Sequence, residues 1–437
     1  MANPQTRTKE DSSVQVSLID SSQPEDTDQL EKSLCKLELF LQFFGFCQYS
    51  PLSFTLSWLA YTLIGVAVPV LIIVFSSRSC SDCKKYQIKT FELEILISQA
   101  ILAAVALLCI PHNLRKRGVR KLLFVDRYHG HTIQFRKEYI QKISGFFRVL
   151  AMWVLPCFLL KTAREVIRTV HVHPDLWWQS VGILLASLVS WTYLTIIYLS
   201  GTALFNLVCN MQVIHFENYG KLLESDLDVS VYIEEHICLV HCLSKISHRF
   251  RIFLLLEFLV VTASQFTALL QTTANQGIIN VINGGDFIVS SIVELVGIIL
   301  CLHAAAKISH RAQGIASVAS RWHALVTCNS NDASQMGTSS NGGNLDAAYP
   351  TSSLPINYSE SDLESIDYVP MSRNTQLASH MSSYHKRQAF VTYLESNRGG
   401  FTIFGWTVDR ILINTIFFIE LSLVFFVLGK TITVTTK

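Results

Sequence analysis

The stretch LWWQSVGILLASLVSWTYLTIIYLSGTALFNLVC, Leu176 to Cys209, decides the class of fold. It runs for 34 residues without one Asp, Glu, Lys or Arg, whereas about 20 apolar residues already cross a hydrocarbon core as a helix. At 1.5 Å per residue it makes roughly 50 Å of helix, too long for one perpendicular crossing. It must tilt or project beyond the membrane. Trp177 and Trp178 at its start suit the interfacial belt of aromatic residues.

Six further blocks have the same character: Leu52 to Ser77, Glu92 to Pro111, Ile143 to Lys161, Ile252 to Ala274, Phe287 to Ala306 and Thr407 to Lys430. They lack the alternation of barrel strands, so each is read as a helix, which satisfies its own backbone in lipid. Pro69 and Pro156 are tolerable kinks. Half of the residues are apolar and 16% are charged, against roughly 25% charged in soluble domains. The net charge of +2 does not point to nucleic acid as a partner, because the basic clusters lie in loops beside spans. The first fifty residues are mostly polar and hold no signal-peptide core. The expectation is an all-α polytopic protein with seven transmembrane helices, integral to the membrane, in contact with its lipid, and sited in the plasma membrane.

Loop charge sets the orientation. With the N-terminus inside, cytosolic segments carry about 24 lysines and arginines and external ones about 8, the asymmetry of the positive-inside rule. Arg115, Lys116, Arg117, Arg120, Lys121, Arg127, Arg136, Lys137 and Lys142 dominate the count; Lys84, Lys85 and Lys89 oppose it. An odd number of spans leaves the C-terminus outside. Four regions follow: a largely disordered cytosolic tail over 1–50, spans one to six with helical extensions over 51–328, a disordered Ser- and Asn-rich loop over 329–385, and a re-entry segment with the seventh span over 386–437. Between spans four and five, Ile233, Ile237, Val240, Leu243 and Ile246 recur at roughly helical spacing, which suggests helices extending below the membrane.

Motifs exclude more than they identify. Asp126-Arg127-Tyr128 precedes the third span instead of ending it, and no Asn-Pro-x-x-Tyr follows in the last, unlike G-protein-coupled receptors. No Gly-x-Ser-x-Gly elbow, Walker loop or dinucleotide fingerprint is present, and the histidine pairs His129/His131, His171/His173 and His236/His241 do not cluster. No enzyme activity, cofactor or metal is expected. Cys80 and Cys83 share an external loop, where they form a local disulfide or remain two free thiols.

The last span and its lead-in, Gly399-Gly-Phe-Thr-Ile-Phe-Gly-Trp-Thr-Val-Asp-Arg410, with Ile419-Glu-Leu421 and Val427-Leu-Gly-Lys430, resemble the plant gustatory receptor-like family. That family is regarded as distantly related to insect odorant and gustatory receptors. The resemblance implies an insect chemoreceptor-like fold and a homotetrameric, ligand-gated cation channel. Each seventh helix would line the pore, and extensions of helices four to six would anchor the tetramer. Insect receptors carry a seventh-span motif running from Thr-Tyr to Gln-Phe; here Glu420-Leu421 stands at its end and Ile413-Asn414 at its start.

At about 100° per residue, Asp409, Ile413, Ile416, Glu420 and Val427 share one face of the seventh span, and Asn414, Thr415 and Ser422 another. Both are pore candidates, and only one can face an axis. Glu420 would make a carboxylate ring there, or else bond a neighbouring helix. The resemblance also implies a site for an unidentified small-molecule ligand in the outer half of spans two to six. Gln99, Lys161, Trp191, Tyr193, Gln265, Gln271 and Glu294 are the candidates at that depth. Two other readings stay open: a secondary transporter or lipid-handling protein, and a non-conducting signalling scaffold that recruits partners through its Ser-rich loop.

Overall fold

Ser50 opens the first spanning helix: its Oγ accepts the Ser53 N–H at 3.1 Å, and Pro51 follows at the first helical position. A computed structural model describes residues 24–78, 89–123, 133–172, 177–223, 228–274, 281–334 and 383–435. The elements are α1 (Pro24–Phe43), α2 (Pro51–Ala60), a π-helical turn (Tyr61–Ala67), α3 (Val68–Arg78), α4 (Lys89–Leu122), α5 (Ile133–Val172), α6 (Trp177–Leu222), α7 (Val229–Ala274), α8 (Val281–Ser334), α9 (Ser383–Ser396), β1 (Thr402–Ile403), β2 (Trp406–Thr407) and α10 (Arg410–Thr435). Seven spans among them are long and apolar enough to cross a membrane, the first built from α2, the π turn and most of α3. The π turn ends where Val68 N–H donates to Leu63 O. The next residue, Pro69, is one whose ring would strain a regular helix.

Several spans outrun the lipid. α6 has 46 residues and α8 has 54, roughly 70 and 80 Å of helix against about 30 Å of hydrocarbon. The surplus gathers at the end where α1 lies, called here the α1 end. There α6, α7 and α8 pack into a largely apolar core that includes Leu204, Phe205, Leu243, Ile246, Phe250 and Ile308. Polar contacts tie α5 and α8 to α6. Tyr139 and His215 share a hydrogen bond of 2.6 Å, Lys307 donates to Asn210 at 2.9 Å, and Arg311 pairs with Glu217 at 3.1 Å.

The expected disordered tail over 1–50 is corrected in part: Pro24–Phe43 is a helix. Leu30, Leu34, Leu37 and Leu41, spaced by four, three and four residues, bury one stripe of it against the bundle. The acidic residues Glu25, Asp26, Asp28, Glu31 and Glu38 share this helix with that stripe. Beside it, burial pushes the Cys47 thiol up to about 11, which keeps it a neutral packing group.

Two expected boundaries also move. The seventh span begins at Arg410 instead of Thr407, because Thr407 pairs with Thr402 in a two-residue-strand hairpin. Phe404 and Gly405 at its turn both have positive φ, the conformation such tight turns demand. The third span lies within a helix running from Ile133 to Val172, beyond the expected 143–161, because the flanking charges continue the helix. The polar loop expected over 329–385 falls mostly outside the described residues, with α8 reaching Ser334 and α9 starting at Ser383. Cys80, Cys83, His173 and Asp126-Arg127-Tyr128 lie outside them too.

α9 and the hairpin bring the chain back onto the bundle before it spans again. Ser309 Oγ accepts the Phe401 N–H at 3.0 Å, Ser247 Oγ accepts the Thr402 N–H at 3.3 Å, and Phe401 is buried 5.5 Å from Phe205. α10 then packs on α7 and α8.

Candidate functional site

At the end opposite α1, four charged residues occupy one face of α5. Lys161, Arg164, Glu165 and Arg168 are spaced by three and four residues, so their side chains stack along a single helical stripe. The start of α4 brings Glu92 to that stripe, and α8 brings Asp286. Arg164 donates to Glu92 at 3.0 Å and Arg168 to its other oxygen at 3.3 Å. Lys161 pairs with Glu165 at 3.2 Å and also with Asp286; Arg164 also pairs with Glu165. Most of these side chains are nearly inaccessible: Lys161, Arg164 and Glu165 expose 7% or less. Isolated charges so buried cost several kcal/mol each. The interlocking of three cations with three carboxylates is what makes the cluster tolerable.

These residues wall a cavity of about 60 Å³. α3 contributes Pro69, Ile72 and Ile73, α4 adds Gln99, and α6 supplies Ser187, Ser190 and Trp191. Lys161 Nζ sits 5.9 Å from the centre of the Trp191 ring. Ser190 Oγ and Trp191 Nε1 are buried without hydrogen-bond partners. Of the seven residues expected around a ligand, Gln99, Lys161 and Trp191 line this cavity. Gln265 and Glu294 belong to the polar network next to it. Gln99 donates to Ser290 at 2.7 Å, while Ser98 and Gln265 both donate to Glu294 at 3.0 Å. Tyr193 packs against the core that Tyr61 shares, and Gln271 lies farther along α7, neither lining the cavity.

The polar cavity walls that sequence reasoning did not single out are Glu92, Arg164, Glu165, Arg168, Asp286, Ser187 and Ser190. The charged ones sit at the ends of the expected spans, where such residues ordinarily reach water. Their common depth at the ends of three spans was the available signal.

Deeper in the bundle a second polar group closes on itself. Tyr198 OH donates to Glu257 at 2.8 Å, and Cys301 Sγ lies 3.4 Å from the other carboxylate oxygen. Tyr198 reaches this position only because Gly297 has no side chain: a Cβ there would stand 1.9 Å from the Tyr198 hydroxyl. On α10, Glu420 is fully buried, accepts the Thr262 hydroxyl at 2.6 Å and keeps its second oxygen unpartnered. Ile413 and Ile416 on the same side are half-buried and Val427 is buried, whereas Asp409, Asn414, Thr415 and Ser422 are exposed. Thr415 and Ser422 donate to the carbonyls of Ile411 and Phe418 on their own helix.

The family profile described as protein of unknown function (DUF3537) matches residues 32–419. The chain belongs to that family. No curated protein matches it in sequence. Among solved structures, the insect olfactory receptor OR5 from Machilis hrabei is similar over 92% of this chain and 98% of its own, with a TM-score of 0.57 at 13% identity. The same receptor in complex with eugenol gives 0.55 at 12% identity, over 92% of this chain and 99% of its own. At such identity the likeness is one of fold. This DUF3537 member is therefore an all-α integral membrane protein with seven candidate spans and an insect chemoreceptor-like fold.

Proposed function

We propose that the chain is a chemoreceptor-like homotetramer that conducts cations when a small molecule occupies the charged cavity. The observation that carries this reading is a cavity with charged walls within a fold shared along nearly its whole length with an olfactory receptor solved with a small molecule, eugenol. The resemblance of Gly399 to Arg410 and of the segment ending at Lys430 supports a place among the plant gustatory receptor-like proteins. In this reading the α1 end is cytosolic, the cavity opens toward the outside and the membrane is the plasma membrane. A tag at the N-terminus should be inaccessible on intact cells, and Asn357 should carry no N-glycan. Accessibility or glycosylation there would reverse the orientation.

Burial decides which face of α10 we assign to the pore. Glu420 is held by Thr262 inside its own bundle, which supports a packing role for it. Asn414, Thr415 and Ser422 lie on the exposed face and would surround the four-fold axis, with Asp409 placing a carboxylate at the cytosolic mouth. In oocytes expressing the chain, Asp409→Asn should lower cation-over-anion permeability more than Glu420→Gln. The opposite order would return Glu420 to the axis. Ligand-independent silence of the membrane, with a monomer as the only species in nanodiscs and native membranes, would remove the channel reading altogether.

The transporter reading has one observation in its favour. Glu257 and Glu294 are intramembrane carboxylates that make no salt bridge among the described residues, and such groups recur in proton relays. Uptake of a solute that follows a proton gradient, without a conductance, would select it.

A further inference from the structure

The cavity carries the two signs of charge in equal number, Lys161, Arg164 and Arg168 facing Glu92, Glu165 and Asp286. We propose that it binds a compact zwitterion of the amino-acid or betaine class, an inference that rests on the reading of this cavity as the ligand site.

Charge balance is the first reason. A monoanion or monocation entering this balanced, largely buried ring of charge adds one net charge, and the wall groups are already paired with one another. A zwitterion brings none. Its carboxylate can take a place beside Lys161 and Arg164 while its ammonium takes the place vacated beside Asp286, so each wall charge exchanges one partner for another. Lys161 is bound to both Glu165 and Asp286, so it can release one partner and keep the other.

The second reason is independent of charge. Ser190, 1% exposed, and Trp191, 5% exposed, line the cavity with Oγ and Nε1 unpartnered. Buried polar groups are almost always hydrogen-bonded, and these two donors on adjacent lining residues would be satisfied by an acceptor whose entry brings it within their reach. A ligand carboxylate supplies it. Trp191 offers its ring as well: Lys161 already sits over it, and an alkylammonium group could use the same face.

The cavity admits only a compact molecule. About 60 Å³ is far below the roughly 300–1,000 Å³ of pockets that enclose drug-sized ligands. The walls of Pro69, Ile72, Ile73, Ile95 and Leu96 leave room for short aliphatic parts and little more.

The test uses the full chain in nanodiscs of uncharged lipid. Glycine, alanine and glycine betaine are titrated, with acetate and methylammonium as the separate halves, and the melting temperature and heat of binding are read. At least one zwitterion should raise the melting temperature saturably, and neither half should. Ser190→Ala and Trp191→Phe leave every ion pair in place, so they should fold normally while weakening that binding about tenfold each. Equal binding of acetate or methylammonium, unaltered affinity in both variants, or no zwitterion binding, as expected of a cavity that holds only water, would each overturn the proposal. The channel reading fails separately. Zwitterion binding without current sinks it and spares the site, whereas current evoked by an apolar molecule with no zwitterion bound does the reverse.

Discussion

Arg164→Met should destabilise the folded chain by about 3–5 kcal/mol, the usual consequence of removing one member of a buried ion-pair group. Arg164 is the only cluster member within 4.0 Å of Glu92, Glu165 and Asp286 together, at 3.0 Å from Glu92 and 4.0 Å from Asp286. Its loss leaves three carboxylates facing Lys161 and Arg168. Methionine keeps the length and apolar stem of the side chain, so packing changes little and the effect is one of charge. The check is reversible unfolding in nanodiscs or mixed micelles. Adding Glu92→Gln restores the balance and should recover part of the loss; a double variant no more stable than Arg164→Met would show that the cluster contributes packing alone.

Gly297→Ala should also be costly although it adds one methyl group. The new Cβ would meet the Tyr198 hydroxyl at 1.9 Å and the ring carbon behind it at 2.4 Å, and overpacking of this kind costs about 1–3 kcal/mol. A further about 1–3 kcal/mol follows if the displaced ring withdraws its hydroxyl from Glu257, leaving that carboxylate underbonded. Tyr198→Phe isolates the second effect. Combined with Tyr198→Leu, which empties the contested space, Gly297→Ala should lose clearly less than the sum of the two single changes. Strict additivity in that cycle would mean the helices simply separate.

The seven spans were legible because each is a long apolar block and lipid permits few structures. Helical continuation past the bilayer was legible in the length of the Leu176 to Cys209 block and in the spacing from Ile233 to Ile246. α1 was not, because its four leucines are diluted by acidic residues and its apolar stripe means something only against a partner surface. Nor was most of the candidate cavity. Gln99, Lys161 and Trp191 stood out as polar or aromatic residues within spans, whereas Glu92, Arg164, Arg168 and Asp286 sit where a span is expected to meet water. One sequence does not say that three such ends close on each other instead. The same limit applied to Glu420: periodicity put it on one face with Ile413, Ile416 and Val427, but which face meets α7 is a property of the packed bundle.

α8 carries Asp286 in the charged cage and Ser309 at the clasp on Phe401, at two levels of one uninterrupted helix. The 23 residue steps from one to the other span roughly 35 Å. Such a rod acts as a lever. A tilt of about 5° pivoting on the cage would swing the clasp by roughly 3 Å over that length, and Phe401 leads within a few residues into the last spanning helix. Any tilt of α8 about the cage would therefore displace the segment that leads into α10.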